Sequence, residues 1–268
     1  MLAGLDRPAT TGMTLSAVAM ATVSARAADL DQRLGLQVPA GRSVARLIDT
    51  ASGQTVDEVT DLDPHGKPVA ISRFDLSGQL VSSVRLGYAA TIGMAVSAPA
   101  AVTAAGKILA SIGIQAAGSP AATARATGGW LVRWVRLVVG VPVPSDGVSV
   151  QLAAGGSFHS IVRTEHPLAA VPPITIDQAR IRVLAEARLD LWLKADVRGL
   201  AGVSSLGLAW VAPNDTFGDP LPAGPAGSLR LAWVVRVAMS GALADRVAGL
   251  ELAFDAGDGK PLGGDVLE

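Results

Sequence analysis

The chain has 268 residues, a net charge of −1 and half of its residues apolar, with Ala supplying much of that share. It is long enough to bury a sizeable core, and two domains is the working count. Near-neutral charge without a local cluster of Lys and Arg leaves no field to draw in nucleic acid or an anionic bilayer, and zero Cys excludes disulfides, thiolate metal sites and Cys nucleophiles.

In chain order, Met13 to Val23 is a short apolar run, and Ser24, Ala25, Arg26 and Ala27 follow it in a small-x-small pattern. This resembles a secretory leader with its cleavage site, so residues 1–28 are expected to be a signal peptide or disordered tail, weighed against an Ala-rich first helix. Secretion or residence in a bacterial cell envelope follows from that reading. From Val44 to Leu86, short alternating runs (VARLI, TVDEV, PVAISRF, LVSSVRL) predict a β-meander, placed within residues 29–98. Its turns, Asp49 to Gly53, Asp63 to Gly66 and Asp75 to Gly78, each set an Asp before a Gly, so that the carboxylate accepts backbone N–H groups and the Gly takes positive φ. None has the alternating oxygen ligands ending in Glu that calcium binding requires.

A helix is predicted from Pro99 to Ile114, where Val102, Ala105, Leu109 and Ile112 recur at three- and four-residue steps. The apolar text around it, Leu86 to Ile114, contains Pro99 and Lys107, which favours a buried loop and helix over a membrane span. Strands are expected at Trp130 to Val139, Val148 to Leu152 and Phe158 to Arg163, with turns at Pro142 to Gly147 and Ala154 to Gly156. After Pro172 and Pro173 the pattern starts over. Thr175 is the expected cap of a helix from about Ile176 to Arg188, with Ile176, Ala179, Val183 and Ala187 along one face, and strands follow at Ser205 to Val211, Leu229 to Val237, Leu250 to Asp255 and Pro261 to Val266. Pro213 to Ser228 reads as an exposed, variable loop and a contact for a partner.

Set side by side, the two later stretches share an order of parts, and WLVRWVRLVVG and LRLAWVVRVAMSG are their most alike pieces. Each predicts one helix across an antiparallel sheet, an α+β arrangement in two layers. Three pieces of the second stretch carry a family likeness: Ile174 to Ile181 (ITIDQARI), Leu231 to Val237 (LAWVVRV) and Phe254 to Leu262 (FDAGDGKPL). They resemble the opening helix, central strand and closing hairpin of the PepSY domain, found in propeptides of secreted thermolysin-type metallopeptidases and in bacterial envelope proteins. This chain departs from the family's hairpin by one extra residue at Gly257 and Asp258. The likeness implies a non-catalytic module that docks on a protein, holding a peptidase inactive or assisting its folding.

His65, His159 and His166 are the scarce candidates for acid–base or metal work. No pair has the spacing of a metal site, and no Gly-rich loop opens a helix, so the sequence names no catalytic, cofactor-binding or metal residue. Asp255, Asp258 and Asp265 read as turn and hairpin residues in preference to a cation cradle. Five Trp dominate the aromatics. Core filling is one account of them; an aromatic docking face is the other, and it offers Trp233, Arg236, Trp130 and Arg133 as protein-binding residues.

The expectation is therefore two tandem PepSY-like modules, 99–170 and 171–268, preceded by the meander. No enzyme activity is expected. The function expected is binding of another secreted or envelope protein, with a metallopeptidase as the class the resemblance implies. The alternative is a carrier of a small apolar ligand or lipid, marked by an apolar cavity above ~300 Å³.

Overall fold

The computed structural model describes residues 13–48, 54–86, 96–126, 128–222 and 228–267. Its elements follow one order three times, a helix and then four strands. Helix α1 (Ala17–Arg33) precedes β1 (Gly41–Ile48), β2 (Thr55–Leu62), β3 (Pro68–Asp75) and β4 (Leu80–Arg85). Helix α2 (Ala98–Ser111) precedes β5 (Ala121–Ala124), β6 (Trp130–Val138), β7 (Val141–Leu152) and β8 (Phe158–Thr164). Helix α3 (Gln178–Trp192) and a short α4 (Ala195–Arg198) precede β9 (Ala201–Val211), β10 (Arg230–Met239), a short α5 (Gly241–Ala244), β11 (Gly249–Asp255) and β12 (Pro261–Leu267).

The first two runs join edge to edge through their last strands, giving an eight-stranded antiparallel sheet ordered β1-β2-β3-β4-β8-β7-β6-β5; the third run forms a sheet ordered β12-β11-β10-β9. The α+β class with antiparallel sheets agrees with the sequence. Two compact units result, Met1–Arg136 with Asp146–Glu165, and Leu137–Ser145 with His166–Glu268. Among the described residues, no helix is long and apolar enough to cross a membrane.

All three long helices bury the same pattern. Ala101, Ala105 and Leu109 of α2, and Ile181, Ala185 and Leu189 of α3, repeat at four-residue steps and are at most 3% exposed. Small residues at the first two of these steps in α2 let the helix lie close on its strands. In α1 the buried set is Val23, Ala27, Leu30 and Asp31, and the first three pack with Val59 of β2 and Phe74 of β3. The segment read as a leader is thus part of a packed helix, capped by Ser16, whose side chain accepts from the Ala19 N–H. The meander consequently has a helix of its own.

The cap of α3 is Asp177, which accepts from the Arg180 N–H at 2.8 Å, and not Thr175. Thr175 serves elsewhere: its N–H donates to Ala256 O and its hydroxyl to Gly257 O, beside the β11–β12 turn. The last hairpin turns of the three runs close alike. Gly78 N donates to Asp75 O, Gly156 N to Ala153 O and Gly259 N to Asp255 O, each glycine having positive φ. In the third run the closing bond spans one residue more, which is where the extra residue at Gly257 and Asp258 is taken up. Asp75 accepts from Ser77 Oγ and Gln79 N; Asp255 accepts from the N–H of Gly257 and Asp258. Asp63 does the same for His65 and Lys67. The turn at Asp49 to Gly53 lies outside the described residues.

The β6–β7 turn departs from the sequence reading. It is Val139 and Gly140, with φ of 51° and 76°, while Pro142 to Gly147 belong to β7. Pro142 and Pro144 are exposed on either side of the fully buried Val143, so alternation outweighs the usual meaning of proline as a breaker. A β-branched residue in the left-handed region is costly, and Val139 is 89% exposed, so its side chain gains little from packing. Val139→Asn is expected to raise the unfolding free energy by about 1 kcal/mol. Urea unfolding followed by circular dichroism measures this, and an unchanged midpoint contradicts it.

Candidate functional site

The residues offered for docking do not form one exposed patch. Trp233 is 8% exposed in the core of the second unit, and its indole N–H donates to Ile176 O at 2.8 Å. Trp130 is half-buried against the core around α2, and its indole N–H donates to Val96 O at 2.9 Å. Val96 and Ile176 each stand two residues before their helix, so both tryptophans tie a helix entrance to the second strand of its own run. Trp134, on the same face of β6 as Trp130, is 7% exposed in that core. The alikeness of the two tryptophan strands is therefore a packing device, and core filling is the account their surroundings fit.

Arg236 of β10 remains outside, with its side chain 62% exposed and paired across the strands with Glu251 at 3.1 Å. Arg133 is half-buried on β6 opposite Ala121 of the edge strand β5. Trp233 and Arg236 lie in the second unit, Trp130 and Arg133 in the first.

The histidines are likewise dispersed along the chain. Burial, with the Arg125 charge adding to it, pushes the His159 imidazole on β8 below its usual value, so it is neutral near pH 7. Among the described residues no group of three His, Asp or Glu side chains is placed to share a metal ion. Asp258 pairs with Lys260 at 2.7 Å; that side-chain bond, then the Lys260 N–H, hold its carboxyl below the usual range.

The loop after β9 is not free along its described part. Asn214 N donates to Leu262 O and Asn214 Oδ1 accepts from Gly264 N, so one residue occupies the open side of β12. Phe217 stacks on Trp192, with ring centroids 5.0 Å apart, and Asp219 binds Arg188 through both oxygens at 2.7 Å. The stretch is tied to the second unit at these points, while Asp215, Thr216, Gly218, Pro220 and Leu221 are exposed, as the sequence reading of an exposed loop predicts.

What the second unit does present is β9. Val203 pairs with Val237, but Leu206 pairs with Val235, so one residue, Ser204, is extra on β9. That bulge changes the parity of the strand: Ala201 and Val203 face the core before it, and Leu206, Leu208 and Trp210 face the core after it. Broken alternation is why the sequence shows the strand only from Ser205. Gly202, Ser204, Ser205 and Gly207 are exposed, and open space surrounds both glycines where a side chain would be.

Of the four sheet edges, β9 is the longest at 11 residues and carries no charge. Strand β1 carries Arg42 and Arg46 and receives a bond from Met13 N; β5 has only 4 residues; β12 is capped by Asn214. An edge strand directs part of its N–H and C=O groups outward, and charge, brevity or a cap is the usual protection. On β9, Arg198 donates to the carbonyl of Ala201, at the start of the strand.

The chain is thus an α+β protein of three helix-plus-four-strand runs on two antiparallel sheets. A solved structure of similar fold is the Bacillus megaterium YpeB C-terminal domain, with a TM-score of 0.52 and 12% sequence identity, covering 91% of this chain and 97% of that one. At that identity the likeness establishes the fold alone. No protein-family model and no curated protein matches the chain.

Proposed function

We propose that the chain is a non-catalytic recognition protein of PepSY type that docks another secreted or envelope protein by adding one of its strands to β9. The observation that carries this is the uncharged 11-residue edge, next to which Arg236 stands exposed on β10. Main-chain hydrogen bonds along such an edge supply affinity, and side-chain pockets beside it supply selectivity. The fold uses the same chemistry internally where β4 meets β8 edge to edge. The short family likeness in the third run and the fold shared with the YpeB domain support the PepSY reading; a peptidase is the partner class that this likeness implies.

The test is affinity capture from envelope extract and culture supernatant with the tagged chain and with its Gly202→Lys/Gly207→Lys variant. Both glycines face open space and have ordinary φ, so the fold tolerates the change while two ammonium groups oppose strand addition. The expected result is a protein retained by the parent chain and lost by the variant. Equal retention by both removes β9 from the site, and lipid co-purifying without any protein replaces docking with the carrier reading. That second reading is motivated by a cleft of about 480 Å³ in the first unit, open to solvent and with a lining more polar than apolar.

A further inference from the structure

The cleft lies within the first unit, among the second half of α1, the β3–β4 turn, the C-terminal end of α2 and strands β7 and β8. Its volume falls in the range of small-molecule sites. Leu30, Phe74, Ile112 and Val148 give it an apolar floor, drawn from both cores of the unit. Arg26, Arg33 and Arg163 stand in its lining, with Asp29 as the acid among them.

The three guanidinium groups are not equivalent. Arg33 binds Asp29 at 2.8 Å, one turn back on α1. Arg163 binds Glu165 at 2.6 Å and donates to Gln79 Oε1. Arg26 is half-buried, and among the described residues no carboxylate lies within ion-pair distance of it. Its guanidinium rests on Gly78, where an added Cβ would come within 2.4 Å of Arg26 Cζ. Gly78 also has φ of +86°, so the turn needs glycine for its backbone, and the missing side chain leaves the seat that Arg26 fills. A partly desolvated cation without a counter-charge, above an apolar floor, is complementary to an anion that carries a hydrocarbon tail.

We propose that this cleft binds a medium-chain carboxylate, its tail along the apolar floor and its carboxylate on Arg26, within reach of the paired Arg163. This rests on the carrier reading and names the ligand class for it. The two are separable by choice of ligand. Decanoate, decanol and decyltrimethylammonium share one tail and differ in head charge, and each is titrated calorimetrically into the full chain.

Decanoate is expected to bind with decanol weaker on the order of tenfold, and the cation weaker still. Arg26→Gln is expected to weaken decanoate on the order of tenfold and leave decanol unchanged, while Arg26→Lys retains part of the preference. An unchanged circular dichroism spectrum and melting point for Arg26→Gln show that the fold is intact, and Arg163→Gln gives an independent second variant. If decanol binds as tightly as decanoate, the carboxylate assignment fails while the carrier reading stands. If none of the three binds, both fail.

Discussion

Replacing Arg42 by Met is expected to cost the first unit about 3–5 kcal/mol at neutral pH, because it leaves two buried carboxylates without their cation. Arg42 sits on β1 and reaches in two directions. One guanidinium nitrogen donates to Asp31 at the end of α1, and another to Asp61 of β2 at 2.8 Å. The three side chains are 18%, 9% and 8% exposed, so water screens them poorly. Burial pushes the Asp31 carboxyl above its usual value, the nearby Asp61 charge pushes it further, and Arg42 pulls it part of the way back. A carboxyl raised in the folded state contributes stability that is fully present below its unfolded value of 3.8 and is lost as pH rises through the folded value. Without Arg42 only the weaker pull of the Arg85 charge opposes the upward push. The deficit of Arg42→Met should therefore be greatest at pH 7 and shrink toward pH 4, as the raised Asp31 carboxyl takes up its proton. Urea unfolding at the two pH values measures it; a loss below about 1 kcal/mol, or one equal at both, contradicts the triad as an energetic unit.

This triad also shows what a sequence can disclose and what it cannot. Helix α2 was legible because Ala105 and Leu109 are local periodicity that any packed helix must have, whereas in α3 the traced residues Ala179, Val183 and Ala187 are exposed and Ile181, Ala185 and Leu189 face the core instead. The Asp-before-Gly turns were legible because their hydrogen bonds close within five or six residues. Helix α1 carries the same periodicity at Val23, Ala27 and Leu30, but its Ala-rich text before a small-x-small pattern resembles a leader as well, and its packing partners Val59 and Phe74 lie beyond the reach of any local pattern. Asp31 reads as a surface acid until β1 brings Arg42 to it.

The site lay further from view. That β9 is an edge depends on which strands pair, and that β12 is not an open one depends on Asn214 returning across about fifty residues of sequence to bind Gly264. The loop's prolines and glycines gave no sign of this. The cleft gathers residues from Arg26 to Arg163, and no local pattern connects them. Trp233 and Trp130 pointed correctly to corresponding positions in two runs, but their indole N–H groups serve the entrances of α3 and α2. An aromatic strand looks the same in sequence whether its rings face a partner or a helix.

Gly147 offers the sharpest test of the strand assignment that replaced the expected Pro142 to Gly147 turn. As a turn residue it would tolerate alanine at modest cost, provided φ allowed it. In β7 it has φ of +133°, and a Cβ placed there would lie 2.0 Å from Trp134 O and 3.0 Å from Arg136 N. Those are backbone atoms of β6, and Trp134 is anchored at 7% exposure in the core beneath, so the obstacle cannot swing aside as a side chain would. Gly147→Ala must either open the β6–β7 pairing or pull β7, with its Val148 and Val150, out of the core they share with Trp134. A loss of about 3 kcal/mol or more is expected. Gly207→Ala is the matched control, also a glycine within a strand, but with open space about it and ordinary φ, and it should stay within about 0.5 kcal/mol. Because β7 carries Val148 into the cleft, Gly147→Ala should also weaken decanoate binding, whereas Gly207→Ala should leave it intact. Equal, mild effects of the two alanines on thermal unfolding would return residues 142–147 to a turn and remove this wall of the cleft.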